Sequence, residues 1–242
     1  MDTEMTYPYT SNRFTYSQDP FFDLRFGVLD YFVHKYYKNH KANILELACG
    51  DSPALKMNFN SLQIEYLGID KIVGIVQQNS LNYNYDFMVG DIESTEIINI
   101  IHSEYQDRHA DINILIWLGT YCQMDQYASI LDTYYSILKE GALFLFDYWN
   151  IPEFPEDPAV RFKDTKFRVL EWCKLEMPLM NMSKTVFTTA NRRVLGVAAF
   201  ETKTNDISSP EFIFGEKVSP DKIFDTSTPS AVLTTPKCTS AE

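Results

Sequence analysis

The chain has 242 residues, of which 45% are hydrophobic, and a formal net charge of −12 at pH 7. This length and apolar content predict one globular domain with a substantial core. The absence of a run of about 18 apolar residues argues against a membrane-spanning helix. The negative charge disfavours a nucleic-acid partner, because it would repel phosphates.

The amino terminus and the cysteines bear on the compartment. Residues Met1–Glu4 are acidic, and the apolar segment of a secretory signal does not follow them. The cysteines are too far apart in sequence to form the paired ligands of a zinc site; they are Cys49, Cys122, Cys173 and Cys238. We therefore expect a cytoplasmic protein with free thiols and no metal.

Residues 1–40 predict an amino-terminal arm followed by a helix that could close over a ligand. Asp19-Pro20 has the pattern of an N-cap and a first helical residue. Apolar residues then recur at helical spacing to about Tyr37.

The most informative stretch runs from Ile44 to Pro53. An apolar strand pattern that contains Glu46 leads into a small-residue turn through Gly50. Ser52-Pro53 then predicts the start of a helix, which we extend to about residue 60. Small residues let a ligand approach the backbone, and the N–H groups of a helix start attract electron-rich atoms. The pattern therefore predicts a nucleotide-like ligand. The alternative is a turn without a ligand, because single glycines also occupy such turns in α/β proteins that bind nothing there.

Two further strand candidates also end at an acidic residue. Residues 64–69 precede Asp70, which lies 70 − 50 = 20 positions after Gly50, and residues 85–89 precede Gly90-Asp91. A carboxylate about 20 residues beyond the glycine turn binds ribose hydroxyls in doubly wound folds, where ligands lie at the carboxyl ends of the strands. The alternative is that each aspartate caps the helix that follows it.

The rest of the chain continues the alternation of strands and helices, which predicts a doubly wound, mostly parallel sheet of about seven strands. Helices are predicted at 72–79, 95–105 and 125–138, the last ended by Gly141, and strands at 112–117 and 142–146. Later strand candidates at 167–175, 185–189 and 194–202, the last two joined by a turn at 191–193, predict antiparallel pairing at the carboxyl-terminal end.

Two segments are predicted to be irregular. Residues 151–165 are rich in proline and charge, which predicts a loop that could form a lid or a substrate platform. From about residue 206 the chain is rich in Ser, Thr, Pro and Lys, which predicts a disordered tail.

Four segments together resemble the motifs of class I S-adenosylmethionine-dependent methyltransferases, in the same order and at similar spacing. They are Leu45–Gly50, Gly68–Asp70, Gly90–Ile92 and Leu138–Asp147. Residues 146–150 and 158–163 are in addition similar to small-molecule N-methyltransferases that include amino-sugar dimethylating enzymes. The resemblance covers about residues 14–200. It implies a Rossmann-like domain over residues 41–205, S-adenosyl-L-methionine as cofactor, and methyl transfer to a small molecule at an amine nitrogen.

The resemblance also implies roles for individual residues. Glu46 would hold the ammonium group of the cofactor, Asp70 the ribose hydroxyls and Asp91 the adenine amino group. The full cofactor set is Glu46, Ala48, Gly50, Asp70, Asp91, Ile92 and Trp117. The substrate would contact Tyr121, Tyr148, Trp149 and Arg161, and the candidates for catalysis are Tyr121, Asp147 and Tyr148. Aromatic residues in and after strands are more often core residues.

Three departures from the family pattern keep a second hypothesis open. Asp51-Ser52 replaces the usual glycines of the loop, Lys139-Glu140-Gly141 replaces Pro-Gly-Gly, and the family's closing carboxyl-terminal motif is absent. A non-catalytic descendant could use the fold as a ligand-binding or partner-regulating module. A nucleotide-dependent oxidoreductase is less favoured, because the loop lacks Gly-x-Gly-x-x-Gly. The methyl acceptor and the oligomeric state stay open.

Overall fold

The fold is organised around one eight-stranded sheet with helices on both faces. A computed structural model describes residues 22–50, 53–57, 59, 62–109, 111–120, 124–149, 156–176, 192–201 and 216–219. The helices are α1 (Phe22–Tyr36), α2 (Val73–Asn82), α3 (Glu96–Glu104), α4 (Gln106–His109), α5 (Met124–Tyr134) and α6 (Pro158–Arg161). The strands are β1 (Lys41–Leu47), β2 (Gln63–Asp70), β3 (Asp86–Val89), β4 (Ile112–Thr120), β5 (Leu138–Trp149), β6 (Phe167–Glu176), β7 (Arg192–Phe200) and β8 (Glu216–Lys217).

The strand order is β3-β2-β1-β4-β5-β7-β6-β8. The first five of these strands are parallel, whereas β7 pairs antiparallel with both β5 and β6. This confirms the predicted class, a doubly wound, mostly parallel sheet with antiparallel strands at its carboxyl-terminal end. The carboxyl ends of β1, β2, β3 and β4 meet at one edge, where such sheets bind ligands.

The sheet is buried on both faces, which explains why β4 is apolar almost throughout. One face packs against α1 and α2, and the other against α3 and α5; the largest buried contributors from these helices are Phe26, Leu29, Phe32, Ile97, Ile101, Tyr127, Leu131 and Tyr134. A side-chain cluster fixes the end of α1, because Lys35 Nζ and Tyr36 Oη both donate to Glu171 Oε2 on β6, at 2.7 and 2.8 Å.

The predicted helix after β1 is wrong, since the described residues of this connection form a four-residue 3₁₀ helix, Pro53–Lys56, and no α-helix. Ala54, Met57 and Phe59 of this connection are buried in the core.

The prediction that Gly141 ends a helix is also wrong. α5 ends at Tyr134, a 3₁₀ turn covers Tyr135–Ile137, and β5 already begins at Leu138. Gly141 lies within β5 at φ 75°, a conformation that favours glycine. The register with β4 shifts there, from Ile112 opposite Leu138 to Ile114 opposite Leu143, so the glycine serves an irregularity in the strand.

Three carboxyl-terminal predictions need amendment. Arg192 and Arg193 belong to β7 and do not form a turn, while the strand expected at 185–189 lies outside the described residues. The described part of the 151–165 segment contains α6, capped by Asp157. Disorder after residue 206 does not hold for 216–219, because β8 pairs with β6 and Val218 is buried. The remainder of that tail lies outside the described residues.

Within the described ranges, no helix has both the length and the apolarity needed to cross a membrane.

Candidate functional site at the carboxyl edge of the sheet

The turn after β1 adopts an unusual backbone conformation. Ala48 and Gly50 have φ of 49° and 51°, in the left-handed region that is uncommon for residues other than glycine. Between them, the Cys49 N–H donates to the Ile69 carbonyl at 2.8 Å, which ties the turn to the end of β2. Ala48 is exposed and Gly50 is half-buried. A ligand at this edge would therefore meet backbone and a methyl group.

Asp70 braces this turn. Its carboxylate accepts hydrogen bonds from the N–H of Gly50 at 2.9 Å and from the N–H of Ile72 at 2.8 Å. The bond to Ile72 forms a local aspartate turn and not the helix cap that the alternative expected, because the N-cap of α2 is Ile72 and no side chain caps it. The bond to Gly50 joins the turn after β1 to the end of β2. Asp70 is 7% exposed. Each carboxylate oxygen has two lone-pair sites, so a ribose hydroxyl could still donate to it.

Asn79 also stabilises this turn, a role that the sequence analysis did not predict. Its Nδ2 donates to the Gly50 carbonyl at 2.7 Å, and the residue is 3% exposed. Together Asp70 and Asn79 hold both polar groups of the Gly50 residue. A buried asparagine in a helix gives no local sequence signal for such a role, because its partner lies 29 residues away.

Glu46 has a protein partner. Its side chain is buried on β1 and accepts a hydrogen bond from the hydroxyl of Tyr66 on β2. This bond helps to offset the cost of burying a carboxylate. Burial of Glu46 is therefore not by itself a reason to assign it to the cofactor.

Asp91 and Ile92 follow β3 at the same edge. Asp91 is exposed, and its Oδ1 accepts from the Glu93 N–H at 3.1 Å. Ile92 is partly buried against the core, and its carbonyl accepts from the Tyr134 hydroxyl at 3.1 Å. Asp91 thus presents a carboxylate to solvent next to a fixed apolar side chain, as an adenine site would need.

Trp117 was predicted to line the site, but the structure places it in the core. It is 1% exposed, and its ring packs on Tyr127 of α5 with centroids 4.8 Å apart. Successive residues of β4 from Ile114 alternate between the two covered faces of the sheet, and Trp117 lies on the face that packs against α5. Trp117 therefore follows the general preference of aromatic residues in strands for the core.

Tyr148 and Arg161 form a buried stack. The guanidinium of Arg161, which is 3% exposed, lies between the rings of Tyr127 and Tyr148, 4.4 and 4.0 Å from their centroids. The Tyr148 hydroxyl donates to the Glu156 carbonyl at 3.1 Å. Burial raises the pKa of Tyr148, so it is a poor proton acceptor at neutral pH. The described contacts of both side chains are thus packing contacts, and their predicted substrate and catalytic roles stay predictions.

Asp147 is likewise occupied. It is fully buried and accepts two hydrogen bonds from Arg193 Nη1 of β7, at 2.9 and 2.8 Å. Arg25 Nε of α1 lies 3.3 Å from the same carboxylate. Asp147 therefore fixes α1 and β7 to the end of β5, and its predicted role in orienting a substrate amine stays a prediction.

The remaining predicted residues are less fully placed. Tyr121 lies outside the described residues, and for Trp149 only the backbone, at the end of β5, is described. No group of three or more metal-ligating side chains occurs in the part of the chain that the structure describes. Among the histidines, His109 is buried, and its Nε2 lies 2.9 Å from Asp86 Oδ2. Asp86 is the first residue of β3, so this pair lies at the end of the strand opposite to the candidate site.

Comparison with known proteins finds likeness in structure only. No family model matches the chain, and no curated protein is similar enough in sequence to match it. The chain is similar in structure to the complex between the Haloferax volcanii Trm112 methyltransferase activator and a protein described there as a methyltransferase. The TM-score is 0.53 at 14% identity, over 78% of this chain and 94% of the other.

Two further solved structures are similar. An S-adenosylmethionine-dependent methyltransferase from Clostridium acetobutylicum has a TM-score of 0.51 at 11% identity, over 74% of this chain and 92% of its own. The [4+2]-cyclase SpnF has a TM-score of 0.51 at 12% identity, over 74% of this chain and 82% of its own. These likenesses show that the chain has the Rossmann-like fold of the class I S-adenosylmethionine-dependent methyltransferases.

Proposed function

We propose that this protein is an S-adenosylmethionine-dependent methyltransferase that acts on a small molecule. The observation that carries the proposal is the turn after β1, in which Ala48 and Gly50 adopt positive φ and Asp70 and Asn79 hold Gly50 from both sides. Strained backbone persists where the surrounding structure over-determines it, and such positions cluster at ligand sites.

The residues at this edge fit the proposed cofactor. Asp70 would accept from the ribose hydroxyls, and Asp91 from the adenine amino group, with Ile92 against the ring. Glu46, already bonded to Tyr66, would accept from the ammonium group. The bound cofactor would supply an electrophilic methyl group on its sulfonium, and the protein would have to hold the acceptor about 3 Å from it and in line, which is worth about 7–11 kcal/mol at best.

We propose an amine nitrogen as the acceptor. The net charge of −12 favours the approach of a protonated amine at low salt. The acceptor must then lose its proton before transfer, so the rate should rise with pH until the bound amine is neutral. The proposal of an amine acceptor does not rest on Asp147, Tyr148 or Arg161, because all three are buried.

A screen with labelled S-adenosylmethionine tests the acceptor class. We expect turnover with small polar amines, and little with carboxylates, phenols or RNA. Turnover confined to phenols or RNA would contradict the nitrogen assignment, while leaving methyl transfer intact.

A non-catalytic binding module is the second candidate. One observation favours it: the described part of the connection after β1 forms a 3₁₀ helix in place of the expected α-helix. The fold is also shared with a cyclase, so it does not dictate methyl transfer. Cofactor binding without turnover on any acceptor in the screen would favour this candidate.

A further inference from the structure

The stretch from Ile72 to Gly90 is depleted in charge. Charged residues make up 22% of the chain, so about four would be expected in these 19 positions, and Asp86 alone is present. Asp86 pairs with the buried His109 at 2.9 Å. The stretch therefore presents a neutral surface on a strongly acidic protein.

The fold places this stretch at one end of the sheet. It forms α2 and the terminal strand β3, which pairs only with β2 within the described part of the chain. Five of the six exposed large hydrophobic residues of the described chain belong to it: Ile72, Val73, Leu81, Tyr85 and Val89. Leu81 is 87% exposed. We call this surface, residues 72–90, the β3 edge.

The β3 edge has only part of the protection that edge strands usually carry. Native edge strands are kept from pairing by shortness, charged side chains, proline or bulges. β3 is short and begins with Asp86, but it has no lysine or proline and its pairing with β2 is regular. Depletion of charged residues with exposed apolar side chains is also the composition of interface cores.

We infer that the β3 edge binds a second copy of this chain. Two molecules with a charge of −12 each repel one another, and a neutral surface is where that repulsion is weakest. Closed two-fold symmetry is the commonest arrangement of soluble oligomers and requires one self-complementary surface. An open, neutral strand edge meets that requirement without a partner of opposite charge.

The strand sequence selects a register. A two-fold axis normal to the sheet requires one residue to face its own copy, because opposed side chains of an antiparallel pair lie on the same face. With that residue Met88, Phe87 faces Val89 and Asp86 faces Gly90 of the second copy. The two Asp86 carboxylates are then four residues apart along the strand, about 13 Å, which is more than one Debye length at physiological salt. The register that sets Asp86 opposite Asp86 is disfavoured by like charges. Four strand residues bury too little surface for a stable dimer, so α2 must contribute, and we expect a micromolar dissociation constant.

Analytical ultracentrifugation of the full chain from about 1 to about 100 µM tests the inference. The mass should rise from the 28.1 kDa of one chain towards twice that value. Leu81→Lys and Tyr85→Lys should each weaken the dimer about tenfold or more, by placing like charges on the interface. The matched control is Val160→Lys on α6, because Val160 is 44% exposed and lies outside the β3 edge; it should leave the dimer unchanged. More salt should strengthen the wild-type dimer by screening the repulsion.

Hydrogen exchange at the same concentrations locates the contact. The N–H groups of residues 87 and 89, which face away from β2, should gain protection as concentration rises, and Leu81→Lys should abolish that gain while circular dichroism stays unchanged. A wild-type monomer at about 100 µM would overturn the inference, as would a dimer that resists Leu81→Lys or is equally weakened by Val160→Lys. A monomer would instead favour pairing of this strand edge with a different protein. None of these results depends on cofactor binding, so the proposed function stands or falls separately.

Discussion

Removal of the Asp70 carboxylate is the most informative single change, because it should damage the fold and the site together. Asp70→Ala leaves the N–H groups of Gly50 and Ile72 without their acceptor. Hydrogen bonds to a charged group are worth about 1.5–3 kcal/mol when the partner is buried. Ile72 is 42% exposed, so water can solvate its N–H. The Gly50 bond then dominates, and we expect the free energy of unfolding to fall by about 2–3 kcal/mol.

The same change should weaken the binding of S-adenosylmethionine about 10- to 100-fold, since each tenfold corresponds to about 1.4 kcal/mol. Urea unfolding would measure the stability and calorimetry the affinity, both on the folded variant. Asp111→Ala is the matched control, because Asp111 is 64% exposed and its ion pair with Lys139 lies on the surface; it should cost about 0–1 kcal/mol and leave binding unchanged. An Asp70→Ala variant with wild-type stability and affinity would refute the reasoning.

Three further predictions follow from individual contacts. Gly50→Val should abolish cofactor binding, because φ is 51° there and the new side chain would fill the turn, whereas Gly50→Ala should reduce it less; calorimetry on both would show equal binding if the turn were not the site. Asp147→Asn should lower the free energy of unfolding by about 3–5 kcal/mol, since Arg25 and Arg193 lose a buried counter-charge, and a variant as stable as wild type in urea would contradict this. Hydrogen bonds from two lysines lower the pKa of Glu156 below its usual 4.5, so the stability it contributes is complete above pH 4.5 and is lost as the pH falls through the lowered value. Melting temperatures of wild type and Glu156→Gln should therefore converge in acid, and a constant difference across that range would count against the contribution.

Local patterns were sufficient for the order of the strands β1 to β5 and of the helices α2, α3 and α5 between them. The strands that precede Asp70 and Asp91 are short apolar segments bounded by turn residues, and the alternation with helical patterns predicted a parallel sheet. The segment between β1 and β2 was predicted wrongly, because Ser52-Pro53 is a good local helix start, and local propensity is a weak guide that tertiary contacts can override.

Most of the substrate side could not be read from the sequence for a different reason. The partner of Asp147 is Arg193, 46 residues away in the chain, and the pair forms only when β5 and β7 come together. Trp117 and Tyr148 carry the same chemistry whether they line a pocket or fill a core, so their residue types do not decide between the two. The hydrogen bond between Asp70 and Gly50 could have been predicted from the sequence, because both residues had been assigned to the same edge of the sheet.

Calorimetric titration of the full chain with S-adenosylmethionine and S-adenosylhomocysteine tests the central claim most directly. The account predicts micromolar binding of both compounds to the wild-type protein, competition between them for one site, and loss of both signals in Gly50→Val. Absence of binding to a folded wild-type protein would contradict the claim that the turn after β1 holds this cofactor.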